Sequence, residues 1–180
     1  MLSPIMTLFK HFPLRAYSTV ALMLLICWYA YRKIRRSVET GTITKTCGIL
    51  RMLLISYTVL LLFFTVFGRR SQDYYHCILD VGYSYRDVWT TGDPGVALQI
   101  GANIAVFIPI GAAVFLLSKR FPFLSALAFG IGLSVCIELL QLVLRNGTCE
   151  IDDLISNFLG TFLGCMATGA CRFLRQRLRE

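Results

Sequence analysis

Two groups of polar residues interrupt an apolar stretch of the chain, and their side chains suit acid–base chemistry, ion pairing or ligand binding. The first group is Glu138, Gln141 and Arg145. Their i, i+3, i+7 spacing places them within about 60° of one helical face. The second group follows at once and contains two acids and an amide: Asp152, Asp153 and Asn157. Such a concentration of polar groups between two apolar segments indicates a site or a polar contact between helices.

Small residues extend both patterns along their helices. Gly130 and Ser134 continue the first group's face, and Gly160 and Gly164 share a face with Asp153 and Asn157. These spacings predict that the two faces meet. An upstream segment adds Asn103, and its Pro109 together with Gly111 is expected to interrupt the helix, since proline removes a backbone donor.

The elements that carry these residues are membrane-length. Hydrophobic residues make up 56% of the 180 and charged residues only 16%, against about 25% charged in soluble domains. A bilayer core takes about 20 helical residues. We therefore predict an all-α integral membrane protein, a single membrane domain over 1–180. The five predicted spans are approximately 16–31, 47–67, 96–118, 123–144 and 154–171.

Basic residues predict the orientation. Twelve of the 18 lysines and arginines fall in the loop after the first span, the turn between the third and fourth, and the C-terminal tail. By the positive-inside tendency the N-terminus is outside and the C-terminus cytoplasmic. The polar residues then lie in the outer leaflet. The loop 68–95, rich in tyrosine and with one tryptophan, is expected to form an interfacial cap.

Several chemistries are not supported by the residues. The net charge of +8 comes from basic residues that flank apolar segments. They do not form the basic stripe of a nucleic-acid-binding protein. The seven cysteines and two histidines show no zinc spacing, and the sequence identifies neither a metal site nor a cofactor. Cys77 and Cys149 are the cysteines in predicted outer loops, so they are candidates for a disulfide, with two free thiols as the alternative.

Each polar residue also has a structural interpretation. Amides such as Asn103, Gln141 and Asn157 often join helices. Asp152 and Asp153 are candidates for an N-cap pair of the last helix, Asp152 above all, because a negative charge suits the helix dipole there. Glu138 is the hardest to explain structurally, because a carboxylate within a membrane span is costly and marks function by default.

The residues together resemble the VanZ-like membrane protein family. NIAVFIPIG is followed by ELLQLVLR and then by EIDDLISNFLGTFLG, within a VanZ-like region of about 83–164. The joint pattern is Asn with Phe-x-Pro-x-Gly, then Glu-x-x-Gln, then Asp-Asp-x-x-x-Asn-x-x-Gly-x-x-x-Gly. The resemblance carries the family's polar positions to Asn103, Glu138, Gln141, Asp153 and Asn157, with Arg145 as the candidate for its arginine.

The resemblance implies a protein of the bacterial cytoplasmic membrane that lowers susceptibility to teicoplanin, a lipid-tailed glycopeptide. It brings no established catalytic activity. Our leading interpretation is an outward-facing polar cavity that engages a membrane lipid or a lipid-tailed small molecule. The alternatives are an integral-membrane enzyme acting on a lipid-linked substrate, with Glu138 and Asp153 as acid and base or cation ligands, and a small proton-coupled transporter in which Glu138 titrates.

Overall fold

The structure, a computed structural model, describes residues 14–67, 75 and 77–179. Its described part contains six α-helices and two short strands. The helices are α1, Leu14–Glu39; α2, Lys45–Leu62, which continues as a π-helical turn over Phe63–Phe67; α3, Tyr83–Thr91; α4, Pro94–Leu117; α5, Pro122–Leu144; and α6, Ile151–Arg177. The strands are β1, Cys77–Ile78, and β2, Cys149–Glu150. The predicted all-α membrane fold is confirmed.

Four helices in the described part are long and apolar enough to cross a membrane: Lys45–Phe67, Pro94–Leu117, Pro122–Leu144 and Ile151–Arg177. They match the last four predicted spans. The first predicted span lies within α1, which extends eight residues beyond it into the basic end of the hairpin. A fifth crossing and the orientation of the termini stay predictions.

The chain divides into two compact units at residues 70 and 71. The first contains α1 and α2, an antiparallel hairpin joined by residues 40–44. The second contains β1, β2 and α3 to α6, and it carries every candidate site residue.

The core of the second unit is the contact between α4 and α6, whose backbones touch at three glycines. A Cβ on Gly160 would lie closer than 3.0 Å to the carbonyl oxygen of Ile104, and one on Gly164 would meet that of Ile108. On the other helix, a Cβ on Gly111 would meet the carbonyl oxygen of Thr161. Small residues allow this approach between membrane helices, where packing replaces the hydrophobic effect.

The third core helix, α5, packs on α6 through the face that the sequence predicts. Gly130 lies against the side chain of Thr161, which no larger residue at that position would allow. Ser134, Glu138 and Gln141 on the same face are buried.

One expectation about α4 is wrong. Pro109 and Gly111 do not interrupt this helix, which is continuous from Pro94 to Leu117. Proline fixes φ at a helical value and removes a single donor. Helix α6 packs on both sides of that position, at Ile104 and Ile108 before it and at Gly111 after it, and so supports the helix across the proline.

The predicted interfacial loop contains regular structure. Helix α3 occupies nine of its residues between Gly82 and Gly92, both in the left-handed region that suits glycine. Strand β1 pairs in parallel with β2, with Cys77 opposite Cys149 and Ile78 opposite Glu150. Trp89 is 91% exposed on α3, as a headgroup-level ring would be. Tyr74, another ring of this loop, lies outside the described residues.

The glycine contacts generate a matched prediction. Gly160→Ala is expected to destabilise the protein by roughly 1–3 kcal/mol, the usual cost of overpacking, because the added methyl meets the α4 backbone. Gly132→Ala on α5 is the control: its Cβ would meet nothing within 4 Å, and alanine favours helix by about 1 kcal/mol. The measurement is the fraction folded in detergent against increasing denaturant. Equal losses for the two variants would contradict the packing model.

Candidate functional site

The polar residues of α4, α5 and α6 gather at the ends of these helices where β2 enters α6. We call Asn103, Glu138, Gln141, Asp153 and Asn157 the polar cluster. Its members come from three helices that the glycine contacts hold together.

Glu138 is the buried carboxylate of the cluster, 4% exposed. Its Oε2 accepts a hydrogen bond from the backbone N–H of Glu150 at 3.0 Å. Gln141, one turn along α5, is equally buried. The carboxylate therefore holds the strand that leads into α6.

Asp153 joins α6 to α4. Its Oδ1 accepts from the Asn103 amide at 2.6 Å and from the Gln99 amide at 3.4 Å. Gln99 lies one helical turn before Asn103 and was not among the predicted site residues, although its i, i+4 spacing from Asn103 indicates that the two share a helical face. Asp153 is partly exposed, and is thus the carboxylate of the cluster that a bound molecule reaches most directly.

Asn157 forms the deeper part of the cluster and is 3% exposed. Its Nδ2 donates to the Ser134 hydroxyl at 2.8 Å, which links α6 to α5. Among the described residues, none donates to its Oδ1. An amide oxygen buried without a donor costs about 1–3 kcal/mol, so a donor from a bound molecule or water would be stabilised there.

Asp152 has a different role from its neighbour. It is 2% exposed, and its two oxygens accept from the backbone N–H groups of Gly82 and Ser84, each at 2.7 Å. These amides begin α3. The expected N-cap of α6 by Asp152 is wrong, because Glu150 occupies that position without a side-chain cap and Asp152 lies in the first turn. The carboxylate instead caps another helix, 68 residues earlier in the chain.

Two further contacts fasten α3 over α6. The Ser84 hydroxyl donates to Glu150 Oε2 at 3.1 Å, and the hydroxyls of Tyr85 and Ser156 share a hydrogen bond of 2.7 Å. These residues are not predictable as part of the site from the sequence, because no local pattern links positions more than 60 residues apart.

Arg145 is not on the face that its spacing predicts. Helix α5 ends at Leu144, and Arg145 adopts φ 54° in the left-handed region. The Asn146 N–H then closes the helix end on the Gln141 carbonyl at 3.0 Å. The guanidinium lies over the Tyr75 ring, 4.2 Å from its centroid, and donates to the Tyr75 hydroxyl at 3.0 Å. Extending the helical period through a residue that ends the helix caused the error.

Cys77 and Cys149 are brought together as cross-strand partners, both as free thiols. Burial raises the pKa of Cys149 to about 12, with contributions from a hydrogen bond to Cys77 and from the Glu138 and Asp153 carboxylates. Because the thiolate is the reactive form, this environment keeps Cys149 protonated at neutral pH. The disulfide stays a prediction.

The polar cluster consists of three amides, on Asn103, Gln141 and Asn157, and two carboxylates, on Glu138 and Asp153. In residues 14–67, 75 and 77–179, no group of three or more His, Cys, Asp or Glu side chains is arranged to hold a metal ion. Its donors are amides and backbone N–H groups that face single carboxylate oxygens, an arrangement that suits hydrogen bonding to a polar ligand.

Comparison with known proteins identifies the family. The family described as VanZ/LLP1 matches residues 17–172, most of the chain. The chain belongs to the VanZ/LLP1 family. The match is wider than the 83–164 region that carries the resemblance, and includes most of α1 and all of α2 in the first unit.

A curated relative supports this membership. Protein VanZ of Enterococcus faecium is 36% identical over 67 residues, 37% of this chain. The aligned part is 42% of that relative, so the similarity spans less than half of either protein. No solved structure matches the chain.

The adjacent acids generate a prediction about α3. Asp152→Asn removes the charge and one of two acceptors at the start of this helix. It is expected to weaken local structure by roughly 1–3 kcal/mol, so that amides 83–91 exchange about tenfold faster or more. Hydrogen–deuterium exchange with mass spectrometry measures the change. The control, Asp153→Asn, faces α4 and should leave α3 exchange unchanged. An unchanged rate in Asp152→Asn would show that the cap does not hold α3.

Proposed function

We propose that this protein lowers the susceptibility of a bacterium to teicoplanin by engaging an amphiphile, the drug itself or a cell-wall lipid, at the polar cluster. The observation that carries the proposal is Glu138: a carboxylate 4% exposed in a membrane-length helix, within a VanZ/LLP1 family member. A charged side chain within the bilayer is costly, up to about 2.5–3.5 kcal/mol at its centre and less toward the helix ends. If Glu138 served only to join helices, an uncharged amide would be sufficient at that position.

The arrangement of the cluster supports a ligand with a polar head. Asp153 is partly exposed and has Gln99 and Asn103 beside it, so one carboxylate and two amides offer both acceptors and donors. Asn157 adds a buried oxygen that no described residue donates to. These groups suit a peptide or sugar, whose many N–H and O–H groups need partners in a site away from bulk water.

The helices support the apolar part of the same ligand. Many large side chains of α4, α5 and α6 are exposed on the helix surfaces, among them Leu98, Leu139 and Val143 close to the cluster in sequence. A lipid tail would pack against such surfaces in the bilayer, with its head at the cluster. We place the cluster in the outer leaflet of the cytoplasmic membrane, on the strength of the basic-residue distribution.

The carboxylates are tested by conservative substitution. Glu138→Gln and Asp153→Asn keep shape and hydrogen bonding but remove charge, and interhelical polar pairs average only about 0.6 kcal/mol. We expect both variants to accumulate normally in the membrane of a teicoplanin-susceptible host and to lose protection, returning the inhibitory concentration to that of the host without the protein.

The controls separate charge from abundance. Asp87→Asn removes a carboxylate from α3, outside the cluster, and should protect like the unmodified protein. Gly160→Leu should instead reduce the amount of folded protein. Full protection by Glu138→Gln would overturn the proposal and reduce the cluster to contacts between helices.

A further inference from the structure

The α1–α2 hairpin of the first unit carries a concentrated positive charge. None of these basic residues belongs to the polar cluster. Between residues 32 and 51 there is a single acid, Glu39. The basic residues of this stretch are Arg32, Lys33, Arg35, Arg36, Lys45 and Arg51. Clusters of four to eight lysines and arginines beside a membrane helix attract anionic lipid.

An apolar groove of about 630 Å³ lies between α1 and α2 at this basic end. Its volume is within the range of about 300–1,000 Å³ that ligand sites occupy. Apolar side chains from both helices line it: Ile34, Val38, Ile49, Met52 and Leu53. Its floor is closed at Gly48, where a Cβ would meet Val38 and Ile34. Ile49 and Leu53 are each 62% exposed, as wall residues of a lipid-filled groove would be.

Two cations, Arg35 and Lys45, line the same groove together with one acid, Glu39. Arg35 pairs with Glu39 at 2.7 Å, but both side chains are more than half exposed, and such pairs contribute only about 0–1 kcal/mol. Arg35 is therefore available to a second anion. Lys45 has no hydrogen bond or ion pair with the described residues and begins α2. The positive end of that helix thus favours an anion at the same place.

Aromatic residues place this end of the hairpin at headgroup depth. Trp28, Tyr29 and Tyr31 are all about half-exposed or more, and such rings favour the membrane–water interface. The Arg32 guanidinium lies over the Trp28 ring, 5.0 Å from its centroid. A lipid phosphate and the basic groups would therefore occupy the same level.

We propose that the α1–α2 hairpin binds an anionic phospholipid, with the phosphate held between Arg35 and Lys45 and an acyl chain along the groove. A free phosphate would use the cations but leave the apolar walls exposed. A zwitterionic lipid would fill the groove and carries the same phosphate, but its ammonium group would be repelled by the surrounding basic residues. An anionic lipid has no such opposing charge and fits both the apolar walls and the cations.

The test uses the full-length purified protein in detergent and native mass spectrometry. The probes are phosphatidylglycerol and phosphatidylcholine with identical acyl chains, and inorganic phosphate. We expect the protein to retain phosphatidylglycerol at lipid concentrations at least tenfold lower than those needed for phosphatidylcholine. Millimolar inorganic phosphate should not displace the bound phosphatidylglycerol. Lys45→Gln should weaken phosphatidylglycerol binding about fivefold, the effect expected of one basic residue near an anionic lipid, without affecting phosphatidylcholine.

The matched control is Lys33→Gln, which makes the same charge change on the same hairpin outside the groove. It should weaken phosphatidylglycerol binding clearly less than Lys45→Gln does, because Lys33 does not line the groove. Leu53→Asn should weaken both lipids by making a groove wall polar. Circular dichroism of each variant checks that the helices are intact. Equal weakening by Lys33→Gln and Lys45→Gln, or equal retention of the two lipids, would overturn the proposal.

Discussion

The contact between α4 and α6 is the constraint on which the second unit depends. Gly111, Gly160 and Gly164 let the two backbones touch, and a larger residue at any of them would separate the helices. This approach sets the distance from Asn103 to Asp153, whose hydrogen bond spans the two helices at 2.6 Å. The glycines have no functional side chains, but their small size brings the polar side chains of the two helices within hydrogen-bonding distance.

The adjacent acids of the IDD sequence divide two tasks between them. Asp152 faces α3 and accepts from two backbone N–H groups at the start of that helix, of which that of Ser84 is buried and that of Gly82 partly buried. Asp153 faces α4, is partly exposed and accepts from amide side chains. Consecutive helical residues point about 100° apart, so one turn of α6 both fastens the short helix above it and presents a carboxylate to the cluster.

Helical periodicity predicted much of this arrangement, because it is a local property. The buried face of α5 at Ser134, Glu138 and Gln141 and the close packing at Gly160 and Gly164 are as the spacing indicates. Features that depend on chain reversal or distant partners were not predictable. Arg145 leaves the helical face because it adopts a left-handed conformation, which only the closure of the helix end reveals. The cap of α3 by Asp152 joins residues about 70 positions apart, which no local pattern records.

The most direct test is to map where a lipid-tailed ligand binds on the protein. Teicoplanin with a photoreactive group near the junction of its head and acyl tail would be cross-linked to the protein in membranes, and the labelled peptides identified by mass spectrometry. The account predicts labels on residues 94–117 and 122–157, displaced by unmodified teicoplanin and diminished in Asp153→Asn. Labels spread evenly over all helices, or unaffected by competitor, would contradict a site at the polar cluster.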